Sequence, residues 1–121
     1  MGTAVVHWEL WSKDPARLSG FYEKVFGWKM QNFPEMDYRI AETRKEGEMG
    51  INGGITKPMD PAIAGNMTFY IAVDDLAAFR SKVVAAGGKI VVEEQAVPGM
   101  GSFALFSDPD GRVIGIWKNA L

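Results

Sequence analysis

A chain of 121 residues that is 47% hydrophobic, 23% charged and 12% aromatic has the composition of one globular domain, which excludes a disordered, collagen-like or coiled-coil protein. Its 13 Lys and Arg against 15 Asp and Glu give a net charge of -2, so no basic field exists to hold a phosphate backbone and no nucleic-acid partner is expected. The absence of cysteine removes disulfides, thiolate ligands and cysteine nucleophiles together and suits a reducing compartment, with the cytoplasm as the expected location. The opening residues carry no secretory leader, and no stretch approaches the ~20 apolar residues of a membrane span, so no membrane partner is expected.

In chain order, residues 4–11 (AVVHWELW) read as a strand with Val5, His7, Glu9 and Trp11 on one face and Val6, Trp8 and Leu10 on the other. Asp14 and Pro15 form a helix start, cap followed by first helical position. Leu18, Phe21, Tyr22 and Val25 then make the stripe of a helix lying on a sheet, and Gly27 is its stop. Three short strands are expected at 28–30, 38–43 and 49–56, and the proline-containing stretch 57–65 reads as a linker. The pattern restarts with a strand at 67–73 and a helix capped by Asp74 or Asp75, carrying Leu76, Phe79 and Val83 and ended by Gly87-Gly88. Strands follow at 89–93, 102–107 and 112–118, the last two joined by the turn Asp108-Pro109-Asp110-Gly111. The order βαβββ thus occurs twice. At an offset of 61 positions Asp14 falls on Asp75, Gly27 on Gly88, Gly54 on Gly115, Ile55 on Ile116 and Lys57 on Lys118.

The segments VVHWEL, DPARLSGFYEKVFGW, FYIAVDDLAAFRSKVVAAGGKI and SFALFSDPDGRVIGIW resemble the vicinal oxygen chelate superfamily, which includes lactoylglutathione lyase (glyoxalase), bleomycin resistance proteins and extradiol dioxygenases. The resemblance implies an α+β fold. Two βαβββ modules, about 1–57 and 67–121 with a linker at 58–66, would form a single domain whose curved mixed sheet makes a cup, often paired across a homodimer, with a small molecule inside. In metal-using members the ligands come from the first and last strand of each module, which maps them here to His7, Gly54, Thr68 and Gly115. Two of these have no side-chain donor and threonine is a poor neutral ligand, so only His7 remains where a metalloenzyme needs about three protein ligands. A slip of the INGGIT strand would bring up Gly53 or Asn52 and would not restore the set. No metal and no cofactor are therefore expected.

His7, the lone histidine, reads as a general base or ligand contact, as a structural hydrogen-bonding residue, or as a metal ligand. Glu9, two residues on and on the same face, can orient His7 or instead pair with Arg39. Trp11, Tyr38, Tyr70, Met100, Phe103 and Trp117 are expected to wall an apolar pocket, with ordinary core packing as the alternative. The segment 96–101, with its glycines and proline, reads as a mobile rim or a simple turn. Three readings follow: a metal-independent binder of an apolar or aromatic small molecule, a lyase, isomerase or dioxygenase-type enzyme using His7 and Glu9, and a partner-binding domain with an exposed apolar face.

Overall fold

The computed structural model describes residues 2–63 and 65–120, in which the chain divides into two compact units, one of residues 7–67 and one of residues 1–6 with 68–121. The elements run β1 (Val5–Trp11), α1 (Pro15–Phe26), β2 (Lys29–Phe33), β3 (Tyr38–Glu42) and β4 (Gly53–Thr56), then β5 (Met67–Ala72), α2 (Leu76–Ala85), β6 (Lys89–Val97), β7 (Gly101–Ser107) and β8 (Val113–Asn119). The fold is α+β, and βαβββ is its repeated unit.

In the first unit β2 and β3 pair antiparallel, β3 and β4 pair antiparallel, and β4 pairs parallel with β1. The other unit follows the same plan, with β6 on β7, β7 on β8, and β8 parallel to β5. The repeat extends to register. Glu9 faces Gly54 as Tyr70 faces Gly115, and Leu10 faces Ile55 as Ile71 faces Ile116.

Local chemistry explains both helices. The Asp14 carboxylate accepts from the Arg17 amide, Pro15 occupies the first turn, and Gly27 closes α1 in the left-handed region that a Cβ disfavours. Asp75, rather than Asp74, caps α2 through the Ala78 amide. In the turn before β8 the Asp108 carboxylate accepts from the Asp110 and Arg112 amides while Gly111 takes φ +87°. Val73, Leu76, Ala104 and Ile116 form the core beneath α2, with Ile71, Phe79 and Phe106 packed against it.

Several expectations are corrected. The apolar stripe of α1 is rotated: Pro15 and Ser19 are buried, Leu18 and Tyr22 half-buried, and Phe21 and Val25 exposed. Small Ser19, whose hydroxyl donates to the Pro15 carbonyl, lets the helix lie close over the sheet where bulkier residues would hold it off. The strand expected at 49–56 begins only at Gly53, because Asn52 turns its amide oxygen onto the Thr43 and Arg44 amides and ends the ladder there. β6 continues to Val97, so 96–101 holds the end of that strand and the turn of a hairpin, closed by Met100 N–H on the Val97 carbonyl. The stretch 57–65 includes a 3-10 turn at Pro61–Ile63.

Removing the first cap should register directly: Asp14→Ala is expected to lower stability by about 1 kcal/mol, read as a Tm fall of a few degrees in thermal denaturation.

Candidate functional site

The alternation of β1 puts His7, Glu9 and Trp11 on one face of the first unit, opposite the face that bears Trp8. Glu9 is buried, at 6% exposure, and it accepts from two neutral donors of the same unit. The Trp11 indole N–H donates to Oε1 at 2.7 Å and the Tyr38 hydroxyl donates to Oε2 at 2.7 Å. Tyr38 oxygen also lies 2.7 Å from His7 Nε2. A phenol has one proton and a carboxylate only accepts, so the Tyr38 proton goes to Glu9 and His7 must donate to the phenol oxygen through Nε2–H. The chain His7, Tyr38, Glu9, Trp11 therefore has a fixed direction and fixes the histidine tautomer.

Tyr38 stands over a glycine. A Cβ built on Gly54 would overlap the Tyr38 hydroxyl and ring, so the phenol fills the volume that a side chain at 54 would need. On the other face, Gly53 gives the same space to the Trp8 ring, which meets Trp28 at a tilt of 47°, and Tyr22 stacks parallel on Trp28. Arg39 follows Tyr38 along β3 and alternation turns it to the Trp8 side. Glu9 is thus held by Tyr38 and Trp11 and not by Arg39, which was one of two alternatives open from sequence.

In the second unit Tyr70 lies over Gly115, where a Cβ would meet the ring. Phe103 meets Tyr70 edge to face with centroids 6.2 Å apart, and Trp117 pairs across the strands with Phe103. Met100 sits in the β6–β7 turn and is exposed. Thr68 is buried and its hydroxyl donates to the Val113 carbonyl at 2.6 Å. A recess of about 610 Å³ in this unit lies against the first turn of α2 and the β6–β7 turn, walled by Asp75, Glu94, Pro98 and Lys118 among others. Its walls lack the aromatic residues singled out from sequence.

These observations test the ligand set of the metal-using members, and the residues do not fit it. Tyr38 fills the place of a ligand at 54, Tyr70 the place of one at 115, and the Thr68 hydroxyl is committed to a backbone carbonyl. Among the described residues no group of three His, Cys, Asp or Glu is gathered to hold an ion. The role of Tyr38 as partner of both His7 and Glu9 was legible only as an aromatic at a strand start; the signal that pointed to it is Gly54, a strand glycine with no turn to explain it.

Burial lowers the His7 pKa below its usual 6.5, and the nearby Glu9 charge opposes that shift without cancelling it. His7 is accordingly neutral at pH 7. A folded-state pKa below the unfolded one gives stability that is complete above about pH 6.5 and declines as acid protonates the unfolded state first. As the lone histidine, His7 should show a single NMR titration with a midpoint below 6.5, and Glu9→Gln, which removes the opposing charge, should move that midpoint lower still. Glu9→Leu leaves the buried Trp11 and half-buried Tyr38 donors without this acceptor and should cost about 1–3 kcal/mol in chemical denaturation.

The chain is similar to several known proteins. The Mycobacterium bovis protein CFP32, a glyoxylase by name, is 34% identical over 122 residues that cover 98% of this chain and 45% of that protein. The anthracycline biosynthesis protein DnrV of Streptomyces peucetius is 26% identical, covering 93% of this chain and 46% of its own length. The chain thus spans about half the length of these curated relatives. Streptomyces coelicolor methylmalonyl-CoA epimerase, solved with 2-nitronate-propionyl-CoA, shares the fold at a TM-score of 0.68 and 14% identity, covering 98% of this chain and 95% of that one. No helix among the described residues is long and apolar enough to cross a membrane. The sequence profile of one family matches residues 4–116, and the chain belongs to that family, the Glyoxalase/Bleomycin resistance protein/Dioxygenase superfamily.

Proposed function

We propose that the chain is a small-molecule-binding member of the superfamily that works without the metal of its metal-using relatives and holds an apolar or aromatic ligand. The observation that carries this reading is the Tyr38 phenol over Gly54, which replaces a ligand side chain by a hydrogen-bonded aromatic. Tyr70 over Gly115 repeats the substitution in the other unit. Aromatic rings set beside a few fixed polar groups match the usual lining of a small-molecule site. Trp11, Tyr38, Tyr70, Met100, Phe103 and Trp117 are the proposed contacts, with His7 and Glu9 as the polar groups that orient the ligand. The name of DnrV associates that relative with anthracycline biosynthesis, which makes planar fused-ring compounds the first class to try.

The same reading takes residues 1–121 as one domain with modules at about 1–57 and 67–121, working in the cytoplasm as a homodimer. The exposed Phe21, Val25 and Phe26 of α1 supply apolar surface for such a contact.

A second reading, an enzyme of lyase, isomerase or dioxygenase type, is favoured by one observation: His7, neutral at pH 7, is tied through Tyr38 to a buried carboxylate. This arrangement can hold a proton at a defined nitrogen and pass it along a directed chain. Glyoxylase and epimerase names among the similar proteins accord with proton-transfer chemistry at carbon.

Two measurements on the purified protein test the first reading. Metal analysis after dialysis should find well below ~1 equivalent of any transition metal. An anthracycline at saturating concentration should raise the Tm by several degrees, and Tyr38→Ala should reduce that shift. A tightly held equivalent of metal, or no thermal shift with any fused-ring compound tried, overturns it.

A further inference from the structure

Resting on the metal-free reading above, we infer that Tyr38, given room by Gly54, is the residue that keeps cations out, and that His7 and Glu9 form a latent two-ligand metal site beneath it. The Tyr38 oxygen is 2.7 Å from His7 Nε2 and 2.7 Å from Glu9 Oε2. It therefore occupies a point equidistant from one imidazole nitrogen and one carboxylate oxygen. Zinc takes such donors at about 2.0–2.2 Å, so an ion in place of the phenol oxygen needs each donor to advance by only about 0.6 Å. The second oxygen of Glu9 is held by the Trp11 indole at 2.7 Å. That bond keeps the carboxylate turned so that Oε2 points to the shared position.

The phenol blocks the ion in two ways. It fills the position sterically, and it imposes the Nε2–H tautomer on His7, which removes from that nitrogen the lone pair that a metal would need. Gly54 is the enabling residue, because a Cβ there would overlap the phenol. Exclusion thus depends on a pair of positions on neighbouring strands, one giving the ring and the other giving it space.

The experiment is a Zn²⁺ titration by calorimetry in a non-chelating buffer, followed in parallel through the ring resonances of His7, the lone histidine. Tyr38→Ala removes the ring and the oxygen together and so vacates the shared position. It should bind Zn²⁺ about tenfold or more tightly than the parent protein, with the His7 resonances moving as metal is added. Tyr38→Ser, which also removes the ring, should gain affinity in the same direction and carries the test alone if Tyr38→Ala does not fold. Adding His7→Ala to Tyr38→Ala should abolish the gain. No gain in a folded Tyr38→Ala or Tyr38→Ser protein overturns the role given to Tyr38 and leaves the metal-free reading standing. Tight Zn²⁺ binding through His7 in the parent protein overturns that reading, and the inference with it.

Discussion

A buried carboxylate held by neutral donors is the constraint around which the candidate site is built. Placing the charge of Glu9 at 6% exposure carries a desolvation cost that is tolerable only when its oxygens are well hydrogen-bonded. Trp11 and Tyr38 meet that need on separate oxygens. The remaining features follow in order: Tyr38 must reach across from β3, so Gly54 must lack a side chain, and the phenol, once spent on Glu9, must receive its own hydrogen bond from His7. A cationic partner would have served Glu9 equally well in Coulombic terms, but it would have brought a second desolvated ion and a different pocket polarity.

Much of the fold was readable from punctuation. Asp14-Pro15, Gly27 and the Asp108–Gly111 turn each carry a mechanism that acts over a few residues, and the structure uses each one in that way. The offset of 61 was legible for the same reason, since it aligned caps and stops before any strand pairing was known. What failed was longer in range. Phe21 and Val25 obey helical periodicity, but which side of α1 meets the sheet depends on Ser19 and on glycine-rich β4, whose adjacency is tertiary.

The grouping of His7, Glu9 and Trp11 on one face was legible, and its wiring was not. His7 and Glu9 share a face because β1 alternates, and Trp11 follows by the same rule. Tyr38 could be named as an aromatic but its hydrogen bonds to Glu9 and His7 span 29 and 31 positions, beyond any local pattern. Arg39 was the natural electrostatic choice for Glu9, and a one-residue step along β3 put it on the other face. The two glycines at 54 and 115 had meaning in sequence only as missing donors; in the structure each is the floor beneath a tyrosine.

β4 carries an aromatic ring on each side of consecutive glycines, Trp8 over Gly53 and Tyr38 over Gly54. A strand made this way contributes little of its own, since glycine has poor strand propensity and no side chain to pack. Its place in the sheet is dictated by what leans on it. Mutational drift at either glycine is consequently locked to drift at its overlying ring: a larger residue on the floor becomes tolerable only after the ring above has shrunk, so the two halves of each pair must travel together through sequence space.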